Sequence, residues 1–423
     1  MTGTVDTADE RRLMRRFFVI WGAQAFSLVG SALVQFALVW WLTIETGSAT
    51  VLAFAMMMAL VPQIAVGPFA GALVDRWNRR LVMIWADVSI AAATAVLIAL
   101  FATGTVLVWH IYAVLFVRSA GSAFHWPAMS ASTTLMVPKK HLARVGGLNQ
   151  AVSGAVTIAG PALGAVLLLA LPMWAVLSVD VATAAVAVLP LLFIRIPQPV
   201  RPKDDGGRVS SVLGDMLEGF RFLRSWRGAM ILIVMIMVIN LLFTPADALT
   251  PILVTSYFGK GLVEFATMQI AIGASFILGG LALGVWGGFK RKVVTMLATG
   301  TLSGVGVAIV GVLPGTGFYL AVACMFFAGF MIAMVNGSAS ALMQAAIPPE
   351  KQGRVFGLMG SLTVAMTPIG LAVAGPVSDL IGVQIWFLIA GVSLSAIMAA
   401  GFLNRSVMTV EDVSFERVSV EEA

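Results

Sequence analysis

The chain has 423 residues, of which 60% are hydrophobic and 11% are charged, and its formal net charge is +6. Soluble domains carry about 45–50% apolar and about 25% charged residues, so this composition excludes a soluble globular protein. The excess of positive charge follows from orientation in a membrane, and we expect no nucleic-acid partner.

Apolar runs near 20 residues recur along the whole chain, and each is long enough to cross a hydrocarbon core of about 30 Å as a helix. A helix satisfies its own backbone hydrogen bonds in lipid, whereas an open strand does not. We therefore predict an all-α transmembrane protein with twelve spans. The predicted spans are 17–43, 50–72, 81–103, 107–127, 146–171, 174–194, 228–251, 264–288, 293–313, 318–342, 355–379 and 384–403.

The distribution of Lys and Arg predicts the orientation of these spans. If the N-terminus is cytoplasmic, all of the 26 Lys and Arg residues lie on the cytoplasmic side except Lys260 and Arg118. Cytoplasmic loops of membrane proteins are enriched in these residues. We expect a multi-pass protein of the bacterial inner membrane, surrounded by the lipid bilayer, with both termini in the cytoplasm.

The sequence contains an internal repeat of six predicted spans. A shift of about 210 residues places Pro138 and Arg144 on Pro348 and Arg354. An even number of spans per repeat leaves both halves in the same orientation, as in the parallel repeats of many transporters. We predict an N-terminal six-helix bundle at 1–194, a cytoplasmic linker at 195–227, and a C-terminal bundle with a short tail at 228–423.

Polar residues form one stripe in each of the first and fourth spans of both repeats. Such residues normally face protein or water at membrane depth. For a single residue the alternative is a hydrogen bond between helices, but four related stripes predict a central substrate cavity between the bundles. The predicted cavity residues are Gln24, Ser31, Gln35, Asn240, Asp247, Asn336 and Gln344.

The sequence lacks the residue sets of common catalytic and metal sites. Cys324 is the only cysteine, the histidines His110, His125 and His141 have no ligand spacing, and there is no Gly-rich phosphate loop. We predict no metal, no cofactor and no enzymatic reaction. A membrane enzyme or sensor remains the alternative from another class.

The loop after the second span, residues 71–80, reads GALVDRWNRR. It resembles the signature loop of the major facilitator superfamily, which implies the twelve-helix fold of that family. The resemblance implies a gating motif in which an acid faces a helix N-terminus and arginines pair with acids. The motif residues are Gly71, Asp75, Arg76, Arg79 and Arg80.

Within this loop, Asn78 stands where the family has a second glycine, and we expect it to take a left-handed turn conformation.

Two further motifs narrow the resemblance. Residues 118–121 resemble the family's fourth-helix motif. Gly160, Pro161 and Gly164 resemble an antiporter motif, which implies a hinge in the fifth span.

Residues 15–405 resemble the macrolide-efflux group of bacterial drug:proton antiporters. This resemblance implies export of a small amphipathic substrate, with macrolides among the candidates, by proton antiport and alternating access in a monomer. The alternative is a transporter of the same fold for a siderophore, a lipid-like metabolite or a nutrient.

Proton antiport requires a titratable group within the membrane, and the sequence offers few. We predict that Asp180 in the sixth span, Asp87 in the third and Arg118 in the fourth couple proton movement to transport. A structural hydrogen bond is the alternative for either Asp. Arg118 falls near the middle of the membrane, where a charge requires a partner, so we expect a carboxylate or carboxamide on a neighbouring helix.

Asp75→Asn is expected to shift the protein toward its inward-open state. A hydrogen bond to a charged group is worth about 1.5–3 kcal/mol, and about 1.4 kcal/mol corresponds to tenfold in population. The control is Gly287→Asn, since the second repeat keeps only the basic part of the loop. Spin-label distances across the cytoplasmic mouth measure the shift, and wild-type distances in Asp75→Asn would contradict it.

Overall fold

The computed structural model describes residues 7–138, 141–198, 226–347 and 349–412. This part of the chain contains twelve long helices and no β-strand, which confirms the all-α class. We label them in chain order as α1 (Thr7–Thr46), α2 (Ala49–Arg76), α3 (Arg79–Thr103), α4 (Val108–Met136), α5 (Leu142–Ala170), α6 (Met173–Phe193), α7 (Arg227–Ala248), α8 (Leu262–Trp286), α9 (Lys292–Val312), α10 (Phe318–Ala346), α11 (Pro349–Ile381) and α12 (Val383–Leu403). Short helical segments occupy Thr250–Ile252, Leu253–Tyr257, Arg405–Met408 and Val410–Asp412.

Each long helix contains most of one predicted span, and eleven of them are long and apolar enough to cross a membrane. The exception is α4, whose polar residues, Arg118 and His125 among them, lower its mean hydropathy. Helix α1 begins at Thr7, about three turns before its predicted span. Its first turns are polar, so hydropathy does not detect them.

The chain divides into two compact units. The first unit contains Met1–Thr46 and Phe54–Arg201, and the second contains Gly47–Ala53 and Pro202–Ala423. In the first, α1 packs on α5 and α6, and α3 packs on α4 and α6. In the second, α7 packs on α11 and α12, and α9 packs on α10 and α12. Each of these first-unit pairs has its counterpart six helices later, as an internal repeat predicts.

Two features concern the borders of these units. Most of the linker predicted at 195–227 lies outside the described residues. In the second unit, the Asp379 carboxylate accepts hydrogen bonds from the backbone N–H groups of Ala49 and Thr50 at 2.7 and 3.0 Å. It also accepts one from the Ser48 hydroxyl at 2.9 Å. A carboxylate at a helix N-terminus is favourable, so Asp379 caps the first turn of α2.

Glycines bring α5 close to α1. A Cβ atom added to Gly160 would lie 2.8 Å from the Cβ atom of Ala32, and one added to Gly164 would lie 2.6 Å from the Phe36 ring. Close approach through small residues is a common basis of helix packing in membranes. The glycines of the predicted hinge therefore pack against α1, and their role in movement stays a prediction.

In the second unit, glycines likewise allow close packing, here between α9 and α12. A Cβ atom on Gly391 would lie 2.2 Å from the backbone nitrogen of Ala308, and one on Gly304 would lie 2.5 Å from that of Ser395. Neither backbone can yield without moving its helix. The core of each unit is therefore closely packed where small residues face a neighbouring helix.

Gly160→Ala is expected to destabilise the protein, because the added methyl group meets Ala32 and the backbone of α1. Overpacking a closed contact typically costs about 1–3 kcal/mol. Gly147→Ala, also on α5 but with nothing within 4 Å of the added atom, is the matched control. It should gain about 0.5–1 kcal/mol from helix propensity. Thermal unfolding in detergent measures both, and equal melting temperatures would contradict the packing role.

Candidate functional site

The first unit holds an ion pair in its interior. Arg118 on α4 is 8% exposed and Asp180 on α6 is 1% exposed. The guanidinium donates to the Asp180 carboxylate and also donates to the Thr94 hydroxyl on α3, at 2.6 Å. The expectation that Arg118 lies within reach of a carboxylate on a neighbouring helix is confirmed.

Further donors surround the Asp180 carboxylate. The Ser31 hydroxyl on α1 donates to Oδ1 at 2.9 Å. The Thr94 hydroxyl lies 2.9 Å from Oδ2 and 3.0 Å from the Ile90 carbonyl, and its single hydrogen serves one of the two at a time. A buried ion pair is tolerated when additional hydrogen bonds satisfy its remaining atoms. Asp180 is therefore held by donors from three helices.

A second group of polar side chains lies in the same unit. Asp87 on α3 and Gln24 on α1 are each 7% exposed, and Gln24 donates from Nε2 to Asp87 Oδ2 at 2.9 Å. His125 on α4 places Nε2 3.4 Å from Asp87 Oδ1. This nitrogen is buried and makes no hydrogen bond within the described structure. Proximity without hydrogen-bond geometry leaves the His125 nitrogen unsatisfied.

The two groups form two layers. Gln24 and Ser31, Asp87 and Thr94, and His125 and Arg118 are each seven residues apart on one helix. Seven residues are two helical turns, about 10 Å along the axis. We call Gln24, Asp87 and His125 the inner layer. We call Ser31, Thr94, Arg118 and Asp180 the outer layer. Both layers connect α1, α3 and α4.

Each layer borders a cavity of its own. Gln24 and His125 line a cavity of about 220 Å³ between α1, α4 and α5. Ser31, Gln35 and Arg118 line another of about 340 Å³, which also contacts α2. Both layers therefore border space large enough to admit water or small solutes.

A cavity of about 810 Å³ lies elsewhere in the first unit. It runs between α3 and α4, and Trp77, Trp85 and Phe116 are among its walls. None of the charged residues of the two layers lines it. The two layers are therefore the candidate functional site.

The structure corrects two expectations about the signature loop. Asn78 has φ −70° and ψ 108°, so it is extended rather than left-handed, and it caps α3 by accepting hydrogen bonds from Arg80 and Leu81 N–H groups at 3.1 and 3.4 Å. Arg80 donates to the carbonyls of Leu191 and Leu192 near the end of α6 instead of pairing with an acid. Cations are favoured at helix C-termini, where carbonyls lack partners.

The other residues of the predicted gating motif are only partly described. Arg79 is buried, and its Nη1 donates to the Ala131 carbonyl of α4 at 3.1 Å. Arg76 is exposed at the end of α2. The surroundings of Gly71 and the side chain of Asp75 lie outside the described part of the structure. The gating role of this loop stays a prediction.

The predicted cavity residues of the second unit form no comparable network among its described residues. Asn240 on α7 donates to the Ile236 carbonyl of its own helix at 3.0 Å. Gln344 on α10 donates to the Ser340 hydroxyl at 3.1 Å. Asp247 and Asn336 are exposed. Among the described residues, the buried network of charged side chains therefore belongs to the first unit.

Sequence reasoning missed the contributions of Thr94 and His125. His125 was visible only as part of a polar stripe, and Thr94 resembles any threonine in an apolar span. The seven-residue spacing to Asp87 and Arg118 was the signal that could have identified them. Only the structure shows that three such pairs meet.

Residues 20–371 match the Major Facilitator Superfamily. The chain is 36% identical over 380 residues to Macrolide efflux protein A of Streptococcus pyogenes, covering 89% of this chain and 92% of that protein. It is 27% identical over 370 residues to Multidrug efflux pump Tap of Mycolicibacterium fortuitum, covering 85% and 88%. A crystal structure of a mutant nucleoside transporter NupG matches with a TM-score of 0.70 at 15% identity, covering 92% and 98%.

Twelve long helices in two units of matching internal packing define a multi-pass helical protein of the inner membrane. The likeness to NupG concerns this fold alone. The chain belongs to the Major Facilitator Superfamily and, within it, to the group of the macrolide efflux proteins. The family resemblance carried by the sequence motifs is confirmed.

Asp180→Asn is expected to destabilise the protein strongly, because it leaves the Arg118 guanidinium buried without its carboxylate. Removing one member of a buried ion pair costs about 3–5 kcal/mol. Asp180→Asn combined with Arg118→Gln should recover part of this loss. Ser178→Ala on the same helix, which removes only a bond to the Trp174 carbonyl, is the control. The melting temperatures of the variants in detergent measure these effects. A double variant less stable than Asp180→Asn would contradict the pairing.

Proposed function

We propose that the protein exports amphipathic drugs from the cytoplasm in exchange for protons, by alternating access, and catalyses no chemical conversion. The identity to Macrolide efflux protein A along most of both chains carries the substrate part of this proposal. The second efflux relative, named for multidrug export, supports a substrate class wider than macrolides. In this proposal the protein acts as a monomer with both termini in the cytoplasm.

The proton part of the proposal rests on the two layers of the first unit. Ionisable residues within a membrane are costly and commonly mark ion or proton pathways. Asp87 and Asp180 lie on membrane-spanning helices, and each layer borders a cavity. Protonation of such a carboxyl group would change the charge inside the bundle and so favour one conformation over another.

The layers differ in what they can do. The guanidinium of Arg118 keeps its proton under physiological conditions, so protonating Asp180 would leave a buried cation unpaired. We therefore assign Arg118 and Asp180 to positioning the helices, and Asp87 to carrying the proton. Asp87 has Gln24 as a neutral donor and His125 as a titratable neighbour.

The substrate would use the polar and apolar surfaces that line the cavity of about 340 Å³. Gln35 and Ser122 offer hydrogen bonds there, whereas Leu28, Leu115 and Val156 offer apolar contact. A pocket that combines apolar surface with precisely placed polar groups suits small-molecule ligands. An amphipathic drug matches this combination.

Cells that lack their own efflux pumps should gain resistance to macrolides when they produce this protein. The resistance should disappear with an uncoupler, because proton antiport depends on the gradient. In everted vesicles with an acidified interior, adding drug should raise the internal pH, as a pH-sensitive dye can report. Vesicles without the protein are the control. If the everted vesicles still accumulated drug in their interior to the full extent in the presence of the uncoupler, proton coupling would be contradicted.

A further inference from the structure

We propose that the transported proton is bound by Asp87 and His125 together, as a carboxylate–imidazole pair beside the cavity of about 220 Å³ that His125 lines. This inference rests on the proposed antiport and assigns its proton site. The pair joins α3 and α4, two helices that pack directly against one another.

The geometry distinguishes this pair from the ion pair of the outer layer. One Asp87 oxygen accepts a hydrogen bond from Gln24, whereas the other faces His125 Nε2 at 3.4 Å without forming one. The nitrogen is buried and has no other hydrogen-bond partner within the described structure. Leaving a buried polar atom unsatisfied costs free energy. A proton placed between these two atoms would satisfy both at once.

The charges around the pair allow one proton to come and go. With that proton, the pair is neutral overall, as carboxylate with imidazolium or as carboxylic acid with imidazole. Without it, the pair carries one negative charge. Two ionisable groups in close contact bind and release a proton as a pair.

The charge of the pair is influenced by the charged and polar side chains around it. Asp180 on α6 and His125 act electrostatically on Asp87. Arg118 lies two turns from His125 on α4, and its positive charge is largely offset by Asp180. Gln24 on α1 and Asn149 on α5 are neutral, and both line the same cavity. The negative form of the pair is thus supported mainly by the hydrogen bond from Gln24.

In this proposal, the pair exchanges its proton with water that enters the cavity lined by His125. The proton arrives from water in the cavity and forms an N–H bond at His125 Nε2 or an O–H bond at Asp87 Oδ1. It leaves when that bond breaks and water accepts the proton. No oxidant, reductant or further reactant takes part, since only a proton and water are exchanged.

The test compares His125→Gln with His110→Gln in reconstituted vesicles. His110 is on the same helix, and its Nδ1 accepts a hydrogen bond from the Leu107 N–H group, a role that a glutamine oxygen can also fill. Two activities are measured for each variant. One is proton movement driven by a macrolide, and the other is exchange of drug for drug, which needs no net proton movement.

His125→Gln should lose drug-driven proton movement and keep drug-for-drug exchange, whereas His110→Gln should keep both. Asp87→Asn should behave like His125→Gln, and the double variant should be no worse than either, because residues that act as one unit are not additive. If His125→Gln retains proton movement, or loses both activities, the pair does not bind the transported proton. Wild-type protein that moves no protons on drug addition would instead refute the proposed antiport.

Discussion

The arrangement of the first unit depends on one ion pair between Arg118 and Asp180 in a largely apolar interior. A lone charge at this depth would be unfavourable by several kcal/mol, so the guanidinium, the carboxylate and their hydrogen-bond partners must meet. These partners come from α1, α3, α4 and α6. The ion pair therefore restricts the register of four helices, whereas apolar packing alone would tolerate sliding between them.

The inner layer lies two turns away on three of the same helices. Its residues are chemically close to those of the outer layer, since both contain an aspartate and a basic side chain on α4. They differ in the hydrogen bonds to the carboxylate. Donors from three helices hold Asp180, whereas Asp87 has one neutral donor and a histidine beside it. In the proposed assignment, the outer layer holds the bundle together and the inner layer changes its charge.

Basic residues at the start of the third helix of each unit have similar roles. In the first unit, Arg80 binds carbonyl groups near the end of α6. In the second, Arg291 donates to the Met408 carbonyl at 3.4 Å and pairs with Asp412 at 3.5 Å, just after α12. Glu411 accepts a hydrogen bond from the Val293 N–H group at the start of α9. Helices α6 and α12 are repeat counterparts, so both basic loops anchor the last helix of their own unit.

The sequence by itself determined the class, the number and order of the spans, the repeat and the family. The class and the spans follow from local composition, the family from motifs such as residues 71–80, and the repeat from comparing the two halves of the chain. The sequence also indicated that Arg118 needs a partner, because a charge at membrane depth has few alternatives.

Only the tertiary structure decided which carboxylate that partner is. Asp87 and Asp180 were equivalent in the sequence, and their difference arises from helices that are distant along the chain. The role of Arg80 was likewise set by where α6 ends, and the backbone of Asn78 by its capping bonds. Hydrogen bonds depend on distances and angles between helices, and a one-dimensional pattern does not contain these quantities.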